Sequence, residues 1–406
     1  MEKCCFFSIL FLFLSFYVSA QSESPKYSWT FLTTEYGDLE MPGKGKAQTD
    51  CVVADFTGDG KDDFLIIEKT ESQAIVMYLH KSGKKFEKFI IEKRTVQASE
   101  ASAISDIDGD GDLDFAVASD STNQIWWWEN PYPNFEPDKT WKRNSIKKTG
   151  AIFHHDMVFG DFDGDKVLDL AFWNQGENSL YVAKKPGNVT KTDDWALTKI
   201  FSYNTDGQMF QRTEGSELKN IGVNFHEGIC KADIDLDGID DIVAGGMWFG
   251  FKNGKYLQND IDKSFIAAKI DVGQIIRGGR PEVVMTPAEG NGPMVMYSFE
   301  NGVWNPTILQ QNLRQAHSLK VIDFDRDGDL DIVSAEMRTK EIADPKVFIL
   351  FNNGSAVFER VDLPNPFGTH NTGVGDIDGD GDYDIIGKPF IWDSPRINIW
   401  LNDGSR

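Results

Sequence analysis

Basic residues are in short supply: 41 Lys and Arg stand against 64 Asp and Glu, a formal net charge of −23 at pH 7. A surface of that sign repels phosphate, which excludes nucleic acid and anionic membrane as partners. It is compatible with bound divalent cations, which the formal count leaves out. Cysteine is scarce too, and two of the four, Cys4 and Cys5, fall in the opening MEKCCFFSILFLFLSFYVSA. That stretch has an early Lys, an apolar run and a small-x-small ending at Ala20, so residues 1–20 are expected to be a secretory signal cleaved near Gln21. Only Cys51 and Cys230 would then remain, which excludes a disulfide scaffold. No later apolar run approaches the roughly 18 residues of a membrane span, and no convincing helical period is present. The expectation is an exported chain, secreted or periplasmic, with no membrane span.

What the sequence does have is a repeat. ADFTGDGKDDFLI from Ala54, SDIDGDGDLDFAV from Ser105, GDFDGDKVLDLAF from Gly160, ADIDLDGIDDIVA from Ala232, IDFDRDGDLDIVS from Ile322 and GDIDGDGDYDIIG from Gly375 are copies of one pattern. A further copy, VGQIIRGGRPEVVM from Val272, keeps the glycine and the last acid, Glu282, but has Gln274, Ile276 and Gly278 where the others carry acids or a hydroxyl. Each unit has an apolar run before the loop, another after it, and usually a third stretch such as QIWWWEN or VFILFNN. The copies are irregularly spaced, and short β-rich runs at a period of about 40 to 50 residues, with roughly four strands per unit, are the mark of propeller blades. The fold expected is all-β, a seven-bladed β-propeller with calcium-binding Asp loops, forming a single domain over 21–406. The last unit stops after its third strand, INIWLN, and YSWTFLTT at 27–34 is expected to supply the missing outer strand and close the ring. The run Trp126-Trp127-Trp128 is read as strand packing between blades.

Numbered from the first Asp, the loops place a carboxylate or hydroxyl at positions 1, 3, 5 and 9. The sets are Asp55, Thr57, Asp59 and Asp63; Asp106, Asp108, Asp110 and Asp114; Asp161, Asp163, Asp165 and Asp169; Asp233, Asp235, Asp237 and Asp241; Asp323, Asp325, Asp327 and Asp331; and Asp376, Asp378, Asp380 and Asp384. Hard oxygens around a glycine turn suit Ca²⁺. An EF-hand would need a carboxylate at position 12, where these loops have Ile66, Val117, Phe172, Ala244, Ser334 and Gly387. The ions are therefore expected to staple hairpins. Thr57 and Lys166 depart from the pattern in the first and third loops.

Six residues before each first loop position stand Thr49, Glu100, His155, Glu227, Ala268, His317 and His370. If the Asp hairpins cap one face, these residues lie on the opposite face beside the axis. His226 and His154 adjoin the same register. Imidazole and carboxylate around a concave opening suit a Zn²⁺- or Mg²⁺-like ion or acid–base chemistry. His155 and His317 are the candidate base and acid, with His226, Glu227 and His370 as metal or orienting groups. Residues just past each second strand should rim the same opening, and these include Lys69, Ser119, Asp120, Trp173, Asn174, Gln175, Trp248, Glu289, Glu336, Arg338 and Lys388. Indole beside amides and cations suits a sugar ring bearing a carboxylate, with Arg338 and Lys388 holding the acid and Glu100, Trp173, Asn174, Gln175 and Trp248 lining the subsite.

The six loops resemble the FG-GAP/VCBS repeat family, whose members carry Ca²⁺ in the hairpin between the first and second strands of each blade. The stretches HHDMVFGDFDGD, FHEGICKADIDLDG, AHSLKVIDFDRDGD and THNTGVGDIDGDGD, with the degenerate copy from Val272, resemble propeller domains of the aldos-2-ulose dehydratase type and propeller polysaccharide lyases. That resemblance implies sugar chemistry at the central opening, with His and sometimes a metal. The function expected is a carbon–oxygen lyase on acidic, uronate-containing oligosaccharides, with dehydration favoured over glycosidic cleavage. The rival is a glycan-capturing or adhesive propeller without turnover, like the integrin α-subunit head that shares the loops.

Overall fold

The computed structural model describes residues 27–204, 209–212, 218–222, 225–365, 367–389 and 395–405, so the expected signal segment lies outside the described residues. Seven four-stranded antiparallel sheets follow one another along the chain, numbered here as blades 1 to 7. Their innermost strands are Gln48–Ala54, Ala98–Ser105, His154–Gly160, Ile229–Ala232, Ala268–Gly273, Ser318–Ile322 and Asn371–Gly375. Each innermost strand lies against those of the two adjacent blades, and the last meets the first, so the ring is closed. A short hairpin, Met209–Arg212 with Leu218–Gly222, is inserted between blades 3 and 4. The one helical element among the described residues is the three-residue 3₁₀ turn Gln175–Glu177.

Closure uses both ends of the described chain. Tyr27–Thr33 is the outer strand of blade 7, antiparallel to Asn398–Ser405, with Phe31 opposite Trp400 and Thr33 opposite Asn398. The Thr33 hydroxyl donates to Asn398 Oδ1 at 3.0 Å, buried inside this seam. Joining the first strand to the last blade covers a sheet edge that would otherwise expose unpaired backbone groups.

Second strands read as unbroken apolar runs because both of their faces are buried. In Asp114–Ser119, Phe115 and Val117 point into the cluster shared with blade 1, and Ala116 and Ala118 into the cluster shared with blade 3. The same alternation fills one cluster between each pair of adjacent blades, up to the one joining blades 7 and 1 through Ile386, Ile399, Phe64 and Ile66. Each buried Val, Ile, Leu or Phe side chain contributes about 1.5–3 kcal/mol by leaving water. Trp127 and Trp128 are fully buried on opposite sides of their strand, and Trp126 is half-buried under the Arg143 guanidinium. The tryptophan run is blade packing.

His154 shows how the axial end of blade 3 is fixed. Its Nδ1–H donates to the Ser119 carbonyl (2.6 Å), and Nε2 accepts from Lys147 Nζ (3.0 Å), itself fully buried. Burial, then the Lys147 ammonium, pulls the ring's pKa down to about 4. A histidine held neutral in the fold stabilises it above the unfolded pKa near 6.5, and that stability is lost as pH falls toward 4. The loss is roughly 3 kcal/mol for a shift of this size. Urea midpoints at pH 7.5 and 4.5 are expected to separate more in the wild type than in His154→Gln; equal separations would refute this.

Candidate functional site

Five of the seven residues in the expected register do converge on the axis. His155 Nε2 is 3.8 Å from Glu100 and 3.9 Å from Glu227. His317 Nε2 is 3.6 Å from Glu100, 3.9 Å from Glu227 and 3.7 Å from Glu289. His370 Nε2 contacts Glu100 Oε1, and its ring stacks on that of His317 with centroids 4.2 Å apart. Of the remaining two, Thr49 lines the cavity on this face and Ala268 is buried.

A group behind each imidazole sets its orientation. His155 Nδ1 meets Asp156 Oδ2 at 2.6 Å, His317 Nδ1 donates to the His370 carbonyl at 3.1 Å, and His370 Nδ1 faces Lys388 Nζ at 3.2 Å. All three Nε2 atoms are thereby turned to the centre, and behind His155 and His317 the orienting group is an acceptor, as it is for metal-ligand or proton-transferring imidazoles.

The sequence reading did not find Asp156 or Lys269. Lys269 Nζ lies 3.0 Å from Asp156 and 3.7 Å from Glu100. Both, with Asp50, Ser318 and Asn371, stand five residues before a first loop position, one place past the register chosen. Strict alternation would turn such residues away from the axis. Register shifts between Gln48 and Asp50, Ala98 and Ser102, and His155 and Met157 break it in blades 1 to 3, where a bulge directs neighbouring side chains to one side; blade 5 keeps its register, and there Ala268 packs in the core and Lys269 takes the axial place. A polar residue in both registers was the available signal.

Acid outweighs base here: Glu100, Asp156 and Glu227 act on the Lys269 ammonium, and Glu289 adds a further carboxylate beside His317. Burial raises the Glu100 carboxyl against the pull of Lys269 and His155. Burial likewise lifts Glu227 to about 8, with His155 opposing and Glu289 adding to the rise. For His155 burial disfavours the charge, but Asp156, Glu227 and Glu100 outweigh it and raise the ring to about 9. Burial, then neighbouring cationic groups, holds His317 and His370 well below the usual range.

Several expected residues are elsewhere. His226 leaves the axis for an aromatic cage, stacked on Tyr203 at 4.0 Å and tilted against Trp173 at 5.0 Å, and burial lowers its pKa to about 4. Trp173 pairs across the ladder with His155 yet faces the blade 3–4 core, fully buried, its indole N–H donating to the Gly228 carbonyl at 3.0 Å. Trp248 was expected in the loop after the second strand. The Gly245-Gly246 turn, with φ of 58° and 75°, is so tight that Trp248 already belongs to the third strand, buried between blades 4 and 5. Neither indole offers a face to a ligand.

Asn174 is buried and caps the 3₁₀ turn through Glu177 N–H, while Gln175 donates to the His226 carbonyl and reaches the axial cavity. Arg338 is half-buried and lines neither axial cavity; Glu336 is held by Arg314 at 2.8 Å. Lys388 is fully buried behind His370, where it donates to the Gln48 carbonyl, and so is no open carboxylate clamp.

Two cavities meet at Glu100. One of about 160 Å³ opens on the histidine face, lined by Lys69, Asp120, Phe153, His155, Gln175 and His370 among others. The other, about 420 Å³, follows the axis toward the Asp loops past Asp50, Asp156, Lys269 and His317.

The Asp hairpins sit at the opposite ends of the inner strands. Their first aspartates accept backbone N–H groups that wrap the loop, as Asp106 does from Gly109 (2.7 Å) and Gly111 (3.1 Å). The ninth-position aspartates tie the loop to the sheet, as Asp114 does to Ile107 and Asn130. Positions 4 and 6 need left-handed backbone, satisfied in the second loop by Gly109 and Gly111 with φ of 84° and 100°. Asp106, Asp108 and Asp114 converge closely enough to share an ion, as do Asp233, Asp235 and Asp241.

The third loop differs. Lys184 Nζ lies 2.6 Å from Asp163, 2.8 Å from Asp165 and 3.1 Å from Asp169, where a cation would be held, and Lys166 replaces the position-6 glycine at φ 67°. The expected calcium set Asp161, Asp163, Asp165 and Asp169 thus has an ammonium among its carboxylates, because the third strand of blade 3 ends in a lysine, while Asp161, Asp163 and Asp165 bring one donor atom each within 4.8 Å of the others. In the hairpin of blade 5 the position-1 Gln274 amide donates to the carbonyls of Ile276 and Gly278, and Glu282 binds the N–H groups of Ile275 and Ile276.

Residues 106–172 and 323–387 match the FG-GAP-like repeat family. No curated protein matches the chain. In fold it is similar to BBS1N, solved in complex with ARL6DN, at 12% identity over 93% of this chain and 97% of that one, with a TM-score of 0.51. It is similar to virginiamycin B lyase from Staphylococcus aureus at 12% identity over 92% and 99%, also at 0.51. The protein is a seven-bladed β-propeller carrying FG-GAP-like repeats. No helix among the described residues is long and apolar enough to cross a membrane.

Proposed function

We propose that this propeller is an exported carbon–oxygen lyase acting on uronate-containing oligosaccharides, with water elimination favoured over chain cleavage. One observation carries the reading: three imidazole Nε2 atoms, each backed by its own orienting group, face Glu100 and Glu227 where two cavities meet. A pure scaffold has no need to bury so many titratable groups at its axis.

The donor set fits a divalent cation. Glu100 Oε2 and Glu227 Oε2 are buried without a hydrogen-bond partner, and Glu100, His317 and His370 bring one donor atom each within 4.8 Å of the others. These three residues would hold the ion, and Glu227 and Glu289, which face the same His317 Nε2, form a second such set with it. When bound, it would stabilise the negative charge that develops on a uronate carboxylate as its α-carbon loses a proton. His317, expected as base or acid, is on this reading a ligand, because it belongs to both axial donor sets, with Glu100 and His370 and with Glu227 and Glu289.

His155 then moves the proton. Asp156 fixes its tautomer and ring plane; in its neutral form, reached on the alkaline side because its carboxylate neighbours raise the ring to about 9, Nε2 takes the α-proton and returns it to the departing β-oxygen on the same face. The electron pair of the broken C–H bond forms the C=C bond, and the C–O pair leaves with the oxygen. Lys269 holds Asp156 ionised against burial and adds fixed positive charge beside Glu100. Structural Ca²⁺ in the Asp hairpins and an exported location complete the proposal.

The test is incubation of the purified protein with tetragalacturonate and alginate tetramer, following unsaturated-uronate absorbance and product mass. Absorbance with loss of one water supports the dehydratase, and absorbance with shorter products the polysaccharide lyase. Tight binding without either would favour the non-enzymatic glycan-capturing propeller.

A further inference from the structure

The expected tryptophan platforms are buried, yet the mouth of the histidine-face cavity carries another aromatic ring. Phe153, two residues before His155, is 46% exposed and lines this cavity. Its backbone is left-handed, φ 68°, a conformation that a bulky L-residue adopts at a cost. The strain is held from both sides: Phe153 N–H donates to the Asp120 carbonyl at 3.1 Å, and the Phe153 carbonyl accepts from Gln175 N–H (2.8 Å) and Gly176 N–H (3.3 Å). Gly176 is itself obligatory, because a Cβ there would lie 2.2 Å from the Ile152 carbonyl oxygen. A strained, tightly bonded position that turns an apolar ring toward water gains nothing for packing. Such strain belongs to sites that use it.

We propose that Phe153 is the stacking platform of a sugar subsite, on which a pyranose ring lays its C–H face while its hydroxyl edge meets the polar wall of Lys69, Asp120 and Gln175. One apolar plane, one polar wall and the His155 and His370 imidazoles lining the same cavity match a ring that is apolar on its face and hydroxylated at its edge. The Lys69–Asp120 ion pair supplies both a donor and an acceptor to that edge. At about 160 Å³ the cavity suits a single ring better than an extended chain, so the platform orients the residue that reacts. This inference rests on the carbohydrate reading above, and it adds the residue that selects and positions the ring.

Calorimetric titration of wild type, Phe153→Ala and Phe153→Trp with tetragalacturonate and with the neutral xylotetraose, alongside the turnover assay, tests it. Phe153→Ala is expected to weaken binding at least tenfold and to raise KM by more than it lowers kcat, while Phe153→Trp stays within about threefold of wild type. Phe153→Gly, which accepts φ 68° freely, is expected to match or exceed the wild-type Tm while losing affinity like the alanine variant, separating platform from scaffold. Phe153-dependent binding without turnover leaves the platform standing and overturns the lyase reading. Turnover with wild-type affinity in Phe153→Ala overturns the platform alone. Failure of the wild type to bind either tetramer overturns the platform as well.

Discussion

Replacing His155 by alanine is expected to lower the rate of unsaturated-uronate formation by about a thousandfold, within the 10²–10⁴ range of general acid–base groups. The fold should survive the change. Asp156 would keep its ion pair with Lys269 at 3.0 Å and its bond from Gly228 N–H at 2.8 Å, so no buried charge is stranded. Asp156→Asn, which leaves the ring in place but no longer fixes its tautomer, is expected to cost less, about ten- to a hundredfold. Metal content separates the roles: His370→Ala should lose the axial ion, and His155→Ala should keep it. Turnover by His155→Ala within tenfold of wild type would sink the assignment of the proton to this residue.

Chelating calcium is expected to lower the melting temperature by on the order of 15 °C. Each site that binds only the folded chain adds about 2.7 kcal/mol when the free ion stands a hundredfold above its Kd. Sites on separate blades add nearly independently. Five such loops therefore reach about 13 kcal/mol, a large part of the stability of any domain. Elemental analysis of the EGTA-untreated protein should return five calcium ions per chain beyond any axial metal, because Lys184 occupies the third loop. Lys184→Met should raise the count by one, as it frees Asp163, Asp165 and Asp169 for an ion. A melting temperature indifferent to EGTA, or six ions in the wild type, would contradict this account.

The match between sequence and structure is closest where one residue type answers one physical demand. Blade number, closure by Tyr27–Thr33 and the place of every hairpin were legible because each repeat needs two both-faced apolar runs around a glycine turn. The register of Glu100, His155, Glu227, His317 and His370 was legible for the same reason: a fixed offset from a repeated loop is a fixed height on the axis. Legibility failed where a local irregularity broke the count. A bulge beside His155 brought in Asp156, and the two-glycine turn at 245–246 carried Trp248 out of the loops into a blade core.

The sequence by itself determined the architecture, because a propeller's hydrophobic pattern and turn glycines recur seven times and its loop aspartates six, and repetition averages out local error. Only the tertiary structure decided which polar residues share the axis, that His226 is caged by Tyr203 and Trp173, that Lys184 stands among the third loop's carboxylates, and that Phe153 lines the mouth of the cavity. Those outcomes depend on distances between blades far apart in the chain and on single bulges and positive-φ residues, neither of which is written in any local pattern.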